Sequence, residues 1–204
     1  DARLSPRSYA RSTRRHTRLV LAATLLWPLA PPAHASSVVP LGFADIVGEA
    51  QSIVRAEVVD VRATRPSAGR GRIETVVTFR VERILKGSPD RALVTLRFLG
   101  GVIGDESMEV AGMPRFALGD RDVLCLGDEG GAISPIVGLM QGRFRVIRGV
   151  DGVERVTRHD GTAFAATADL VRPLRESAAP IRTMGLRQLE SEIEQLVAGR
   201  GEAR

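Results

Sequence analysis

Between Arg72 and Arg83 the chain reads RIETVVTFRVER, and its residues alternate in character. Ile73, Thr75, Val77, Phe79 and Val81 fall on one side, and Glu74, Thr78, Arg80 and Glu82 on the other. A period of two cannot be satisfied by a helix, so this segment predicts a strand with one buried face. After the break LKGSPD, the stretch ALVTLRF alternates again through Val94, Leu96 and Phe98. SIVRAEVVDVRA (52–63) is rich in β-branched residues and runs into the turn-forming TRPSAGRG. DVLCLG, AISPIVG, GRFRVIR and VERVTR are further short candidates with Gly or Asp at their joints. Short strands with no long helix between them predict a mainly β fold: one antiparallel sandwich or closed barrel.

Two helices frame this plan. FADIVGEAQ carries Phe43, Ile46, Val47 and Ala50 at i, i+3, i+4 and i+7, the spacing of one helical face. TMGLRQLESEIEQLVAG (183–199) predicts a C-terminal amphipathic helix. Thr183 is its expected N-cap, Leu186, Leu189, Ile193, Leu196 and Val197 its apolar stripe, and Gly199 its stop. Residues 161–182, rich in Ala and Pro, read as a loop or tether. The expected organisation is a leader over 1–35, a β domain over 36–160, this linker, and the helix over 183–199.

The leader is predicted from three parts. Arg3, Arg7, Arg11, Arg14, Arg15 and Arg18 precede an uncharged run, LVLAATLLWPLA, and then PPAHASS frames an A-x-A site at Ala33 and Ala35. That order is the pattern of a secretory signal peptide cleaved after Ala35. Twelve apolar residues span about 18 Å as a helix, too short for a bilayer core of about 30 Å. The expectation is therefore an exported protein, periplasmic or extracellular, with no stable membrane anchor after cleavage. The six arginines and Asp1 account for the whole formal charge of +5. The rest of the chain is neutral overall, which removes the electrostatic case for a nucleic-acid partner. Cys125 is the only cysteine, so no internal disulfide can form.

FLGGVIGDES (98–107) looks like a phosphate-binding loop, because Gly100, Gly101 and Gly104 follow a strand. A dinucleotide fingerprint needs a helix next, with its N-terminus facing the pyrophosphate. Gly112, Pro114 and Gly119 interrupt any such helix, and Asp105, Glu106 and Glu109 would set negative charge beside a phosphate. The glycines thus predict an inter-strand loop and no cofactor. Together with Met113, Pro114, Arg115 and Phe116 of the nearby GMPRF, they form the candidate binding surface. Phe116 has two readings here, an exposed contact or a plug at the end of the barrel.

No catalytic set emerges. His159 is the only histidine beyond the leader and sits in the turn RHDG. Cys125, inside VLCL, reads as a core thiol. Asp120, Asp122, Asp128 and Glu129 lack the regular spacing of a calcium loop, so a solvated acidic rim and no metal site is expected. Arg143 and Arg145 alternate with Phe144 and Val146 as on an ordinary half-exposed strand. With Tyr9 and Trp27 in the leader, the remainder has no tyrosine or tryptophan, so it is poor in aromatic platforms for sugars or bases.

Four motifs carry a resemblance. Ile84-Leu85-Lys86-Gly87, the loop Gly100 to Gly104, the G-x-P-x-F-x-x-G segment from Gly112 to Gly119, and Gln141 through Val146 stand in order. Over residues 44–148 the chain resembles a family of secreted bacterial β-barrel proteins without an assigned activity. The strand plan is more distantly similar to the OB-like barrel of the netrin and metalloproteinase-inhibitor type. Those inhibitors act through a disulfide-held N-terminal cysteine, which this chain lacks, so their mechanism does not transfer. The resulting expectation is a non-enzymatic binding module that engages another exported protein. The alternatives are a hydrolase using Asp105, Glu106 or Glu109, and a structural envelope protein that oligomerises through its C-terminal helix.

Overall fold

The computed structural model describes residues 39–66, 71–88, 92–127, 134–171 and 182–201. The predicted leader, with its cleavage site, lies outside the described residues, as do Asp128 and Glu129. The fold is mainly β. Helix α1 (Phe43–Glu49) leads into β1 (Ser52–Thr64), β2 (Glu74–Lys86) and β3 (Leu93–Leu99). A small hairpin, β4 (Gly101–Ile103) and β5 (Glu106–Met108), follows. Then come β6 (Arg121–Leu126), β7 (Arg143–Arg148), β8 (Glu154–Arg158), a 3-10 turn at Thr167–Val171, and helix α2 (Leu186–Gly201).

Six strands form one antiparallel sheet in the order β3-β2-β1-β6-β7-β8, and β4 pairs only with β5. The sheet is not closed into a barrel: β3 and β8 are its edges. Both faces are covered instead, which is why β6 reads as the continuous apolar run VLCL rather than as an alternation. On one face Ile53, Val123, Cys125, Phe144 and Val156 meet Phe43, Ile46 and Val47 of α1 and Leu186, Leu189 and Ile193 of α2. On the other, Val54, Val58, Val77, Phe79, Leu96, Phe98 and Leu124 form a second cluster, with Phe116 packed against it.

The stripe of α2 is therefore spent on its own domain, with Leu189 and Ile193 fully buried. The helix begins three residues after Thr183, and the Leu189 amide donates to the Gly185 carbonyl at 3.1 Å. Thr183 precedes a short extended run in which the Met184 amide donates to Phe164 and its carbonyl accepts from Val156. Extended pairing there outcompetes a cap at Thr183. Gly199 lies within the last turns rather than ending them. Residues 162–171, inside the stretch expected to be a tether, contribute Phe164 and Leu170 to the helix-side core.

Bulges decide which side chains reach which face. The β1–β2 register slips between Arg55 and Ala56, leaving Glu82 unopposed on β2. A bulge puts two successive side chains on one side of a strand. Glu82 and Arg83 accordingly both serve an ion-pair network over the helix-side face. Arg55 bonds Glu82 at 2.8 Å and Glu190 at 2.7 Å, and Arg83 bonds Glu190 and Glu194 at 2.7 Å each. Arg121 joins Glu82 to Glu154. Glu190, almost fully buried on α2, is thus neutralised by two arginines from β1 and β2.

The single lysine of the chain has an equally specific place. Lys86 Nζ donates to the carbonyls of Val47, Gly48 and Ala50 at the C-terminal end of α1. Three convergent carbonyls suit a compact ammonium with three donors better than a planar guanidinium. Burial lowers the pKa of this amine, and the nearby Arg200 adds to the effect.

Candidate functional site

The two loops singled out in the sequence meet around one cavity of about 450 Å³. Its walls include Gly100, Gly101, Met113, Pro114, Arg115 and Phe116. Gly104 is not among them; it sits at the tip of the β4–β5 hairpin. There Gly104 and Asp105 form a two-residue turn, with positive φ at the first position, as a type II′ hairpin requires.

Gly100 and Gly101 serve a tight crossing. The Gly100 amide donates to Ile73 at 2.7 Å, and the Gly100 carbonyl accepts from Thr75 Oγ1 at 2.7 Å. A Cβ on Gly101, whose φ is +142°, would stand 2.6 Å from Thr75 Oγ1. The chain passes too close to β2 for any side chain there. A hairpin follows these glycines, so no helix N-terminus faces them.

The second wall is a strap running from Glu109 to Gly119. Its tail is pinned to β1, because the Gly119 amide donates to Val58 at 2.9 Å and the Val58 amide to Asp120 at 2.8 Å. In its middle Phe116 turns inward. Its ring lies edge-on to Phe79 at 5.2 Å and tilted against Phe98 at 5.0 Å. Phe116 thus packs inward over the face of an open sheet, not at the end of a closed barrel. Arg115 beside it points outward and pairs with Glu109.

What holds the strap down is a residue that strand alternation alone placed at a half-exposed surface. Arg143 is 2% exposed. Its guanidinium grips Asp122 through two bonds, Nε to Oδ1 at 2.9 Å and Nη2 to Oδ2 at 3.0 Å. Nη1 donates to the Arg115 carbonyl at 2.6 Å, Nη2 also reaches Asp120 at 3.2 Å, and the group lies 4.0 Å from the centre of the Phe116 ring. The expected solvated rim of acids is therefore corrected for Asp122, which is fully buried against Arg143. Burial pushes the Asp122 carboxyl above its ordinary value, and the hydrogen bonds from Arg143 oppose that rise. Neither residue type nor spacing flagged this pair, because its burial depends on the path the strap takes over β6 and β7, which strand alternation does not encode.

Other candidates fall into place around this geometry. Glu106 is engaged by Arg65 at 2.6 Å, and Glu109 by Arg115. Among the described residues no group of three His, Cys, Asp or Glu is arranged to hold a metal ion. Cys125 is fully buried, and desolvation pushes its thiol up to about 12. His159 follows β8 in a turn, and partial burial lowers its pKa. A second, more open groove of about 530 Å³ between α1, the 3-10 turn and α2 contains none of the predicted site residues. Among the described residues no helix is long and apolar enough to cross a membrane.

The motif positions thus have physical tasks: Lys86 caps α1, Gly101 crosses β2, Phe116 plugs the far-face core, and Arg143 ties the strap to β6 and β7. No known protein family matches the chain, and neither a curated protein nor a solved structure is significantly similar to it.

Proposed function

We propose that this protein is an exported, non-enzymatic binding module that engages another exported protein through the face formed by the strap and the β4–β5 hairpin. One observation carries the reading. Two loops separated in sequence converge on a single cavity whose walls are mostly apolar, from Val61, Phe98, Val102, Met108, Met113, Pro114 and Phe116. Its neighbouring carboxylates on Glu106 and Glu109 are each committed to an arginine rather than left facing one another. Such a surface offers apolar contact ringed by paired charges, the composition of a recognition site rather than of an acid–base pair. Val102, 64% exposed on the hairpin, Leu118, 71% exposed on the strap, and the outward Arg115 are side chains of this face open to a partner.

The test is capture from the exported protein fraction, with the chain as bait and Val102→Asp and Arg115→Glu as controls. Both substitutions lie on exposed side chains, so circular dichroism should match the parent. A partner retained by the parent and lost from both variants supports the reading. Nothing above background, or a partner held equally by all three baits, overturns it.

A further inference from the structure

An open sheet has two edges, and in this protein they are finished differently. The outer edge of β8 is occupied. The Val156 amide donates to Met184 and the Arg158 amide to Thr162, each at 2.9 Å, with bridges from Arg155 to Gly185 and from Thr157 to Ala163. At β3 the alternation of the ladder shows which groups are left over. Val81 donates to the Ala92 carbonyl and Gly100 donates to the Ile73 carbonyl, so even-numbered residues of β3 exchange bonds with β2. Leu93, Thr95, Arg97 and Leu99 therefore turn their amides and carbonyls away from the sheet, and among the described residues no backbone or side chain meets them.

Natural edge strands are blunted by lysine, proline, bulges or a covering segment. LVTLRFL contains no lysine or proline, and its register against β2 runs without a slip. Its one charge, Arg97, leans 3.4 Å toward Glu74, and Leu93 is 51% exposed. We propose that β3 pairs antiparallel with β3 of a second copy of this chain, across a twofold axis beside Leu96. That register sets Leu93 opposite Leu99 of the second copy and Thr95 opposite its Arg97, so all four outward residues find partners. Sliding by two residues one way brings Arg97 against Arg97, and the other way leaves Leu99 unpaired. Leu96 and Phe98 are already buried within one copy, so the junction rests on the backbone ladder and the four outward residues. The ladder gains up to about eight backbone bonds, since each outward pair exchanges two.

Sedimentation of the full chain over a concentration series reads the association. Thr95→Pro removes an outward amide that the β2 ladder does not use, so the fold should survive while dimerisation weakens about tenfold or more. Register is read by mixing Thr95→Cys with Arg97→Cys chains under mild oxidation. Paired residues of this kind lie about 5.5 Å apart, within disulfide reach, so the mixture should cross-link faster than either variant alone. Cys125 is buried and does not compete. A chain that stays monomeric throughout the series, a Thr95→Pro dimer of undiminished strength, or cross-linking no faster in the mixture each overturns the proposal. Should Thr95→Pro not fold, the cross-linking comparison decides alone.

Discussion

Taking Arg143 from under the strap would leave Asp122 buried without its counter-charge. Arg143→Ala should therefore cost about 3–5 kcal/mol in urea unfolding. Replacing both partners by apolar residues, Arg143→Met with Asp122→Leu, should restore much of that loss, because no charge is then stranded. A double variant as unstable as the single would show that the strap bonds, not the ion pair, dominate. Lys86→Ala should cost about 1–2 kcal/mol by releasing the α1 carbonyls. Lys86→Arg should recover only part, since a planar fork does not converge on three acceptors. Cys125, with its thiol pushed up to about 12, should resist alkylation at neutral pH until the protein is unfolded.

At the scale of elements, α2 is held by apolar burial and by the arginine–glutamate network. Glu82 lies at the centre of that network. Hydrogen bonds from Arg121 hold its carboxyl below the ordinary value of 4.5, against the opposing effect of burial. A depressed carboxylate contributes stability that is present above its unfolded pKa and lost as pH falls through the folded one. The melting temperature of the parent should thus exceed that of Glu82→Gln near neutrality, and the gap should narrow as the pH drops below about 4.5. A gap that stays constant into acid would assign the difference to packing. The strap is a second element whose anchoring is local: Phe116→Ala removes its inward contact with Phe79 and Phe98 and should cost about 2–4 kcal/mol.

At the scale of the whole molecule, the two apolar clusters on opposite faces share β1 and β6, so the helices and the strap stabilise one sheet from both sides. Leu189→Lys should therefore unfold the domain in a thermal melt rather than dissociate an assembly, because Leu189 is fully buried within its own chain. That removes the support for oligomerisation through α2. A soluble, fully folded Leu189→Lys protein would reverse this conclusion.

Alternation in RIETVVTFRVER and ALVTLRF, β-branched runs elsewhere, and the helical stripes made the mainly β plan legible, since side-chain period is a local property. The glycines of FLGG and the breakers of GMPRF were legible as loop residues because turn chemistry and helix breakers are local too. Three things were not. The open sheet with two covered faces depends on which strands become neighbours. Burial of Phe164 depends on the run at Met184 returning to β8. The Arg143–Asp122 pair depends on a strap arriving from beyond β5. From its own residues the chain determined strands, breaks and helical faces. Only tertiary structure decided that an alternating arginine would be buried, because burial is a property of what lies opposite and not of the strand that carries it.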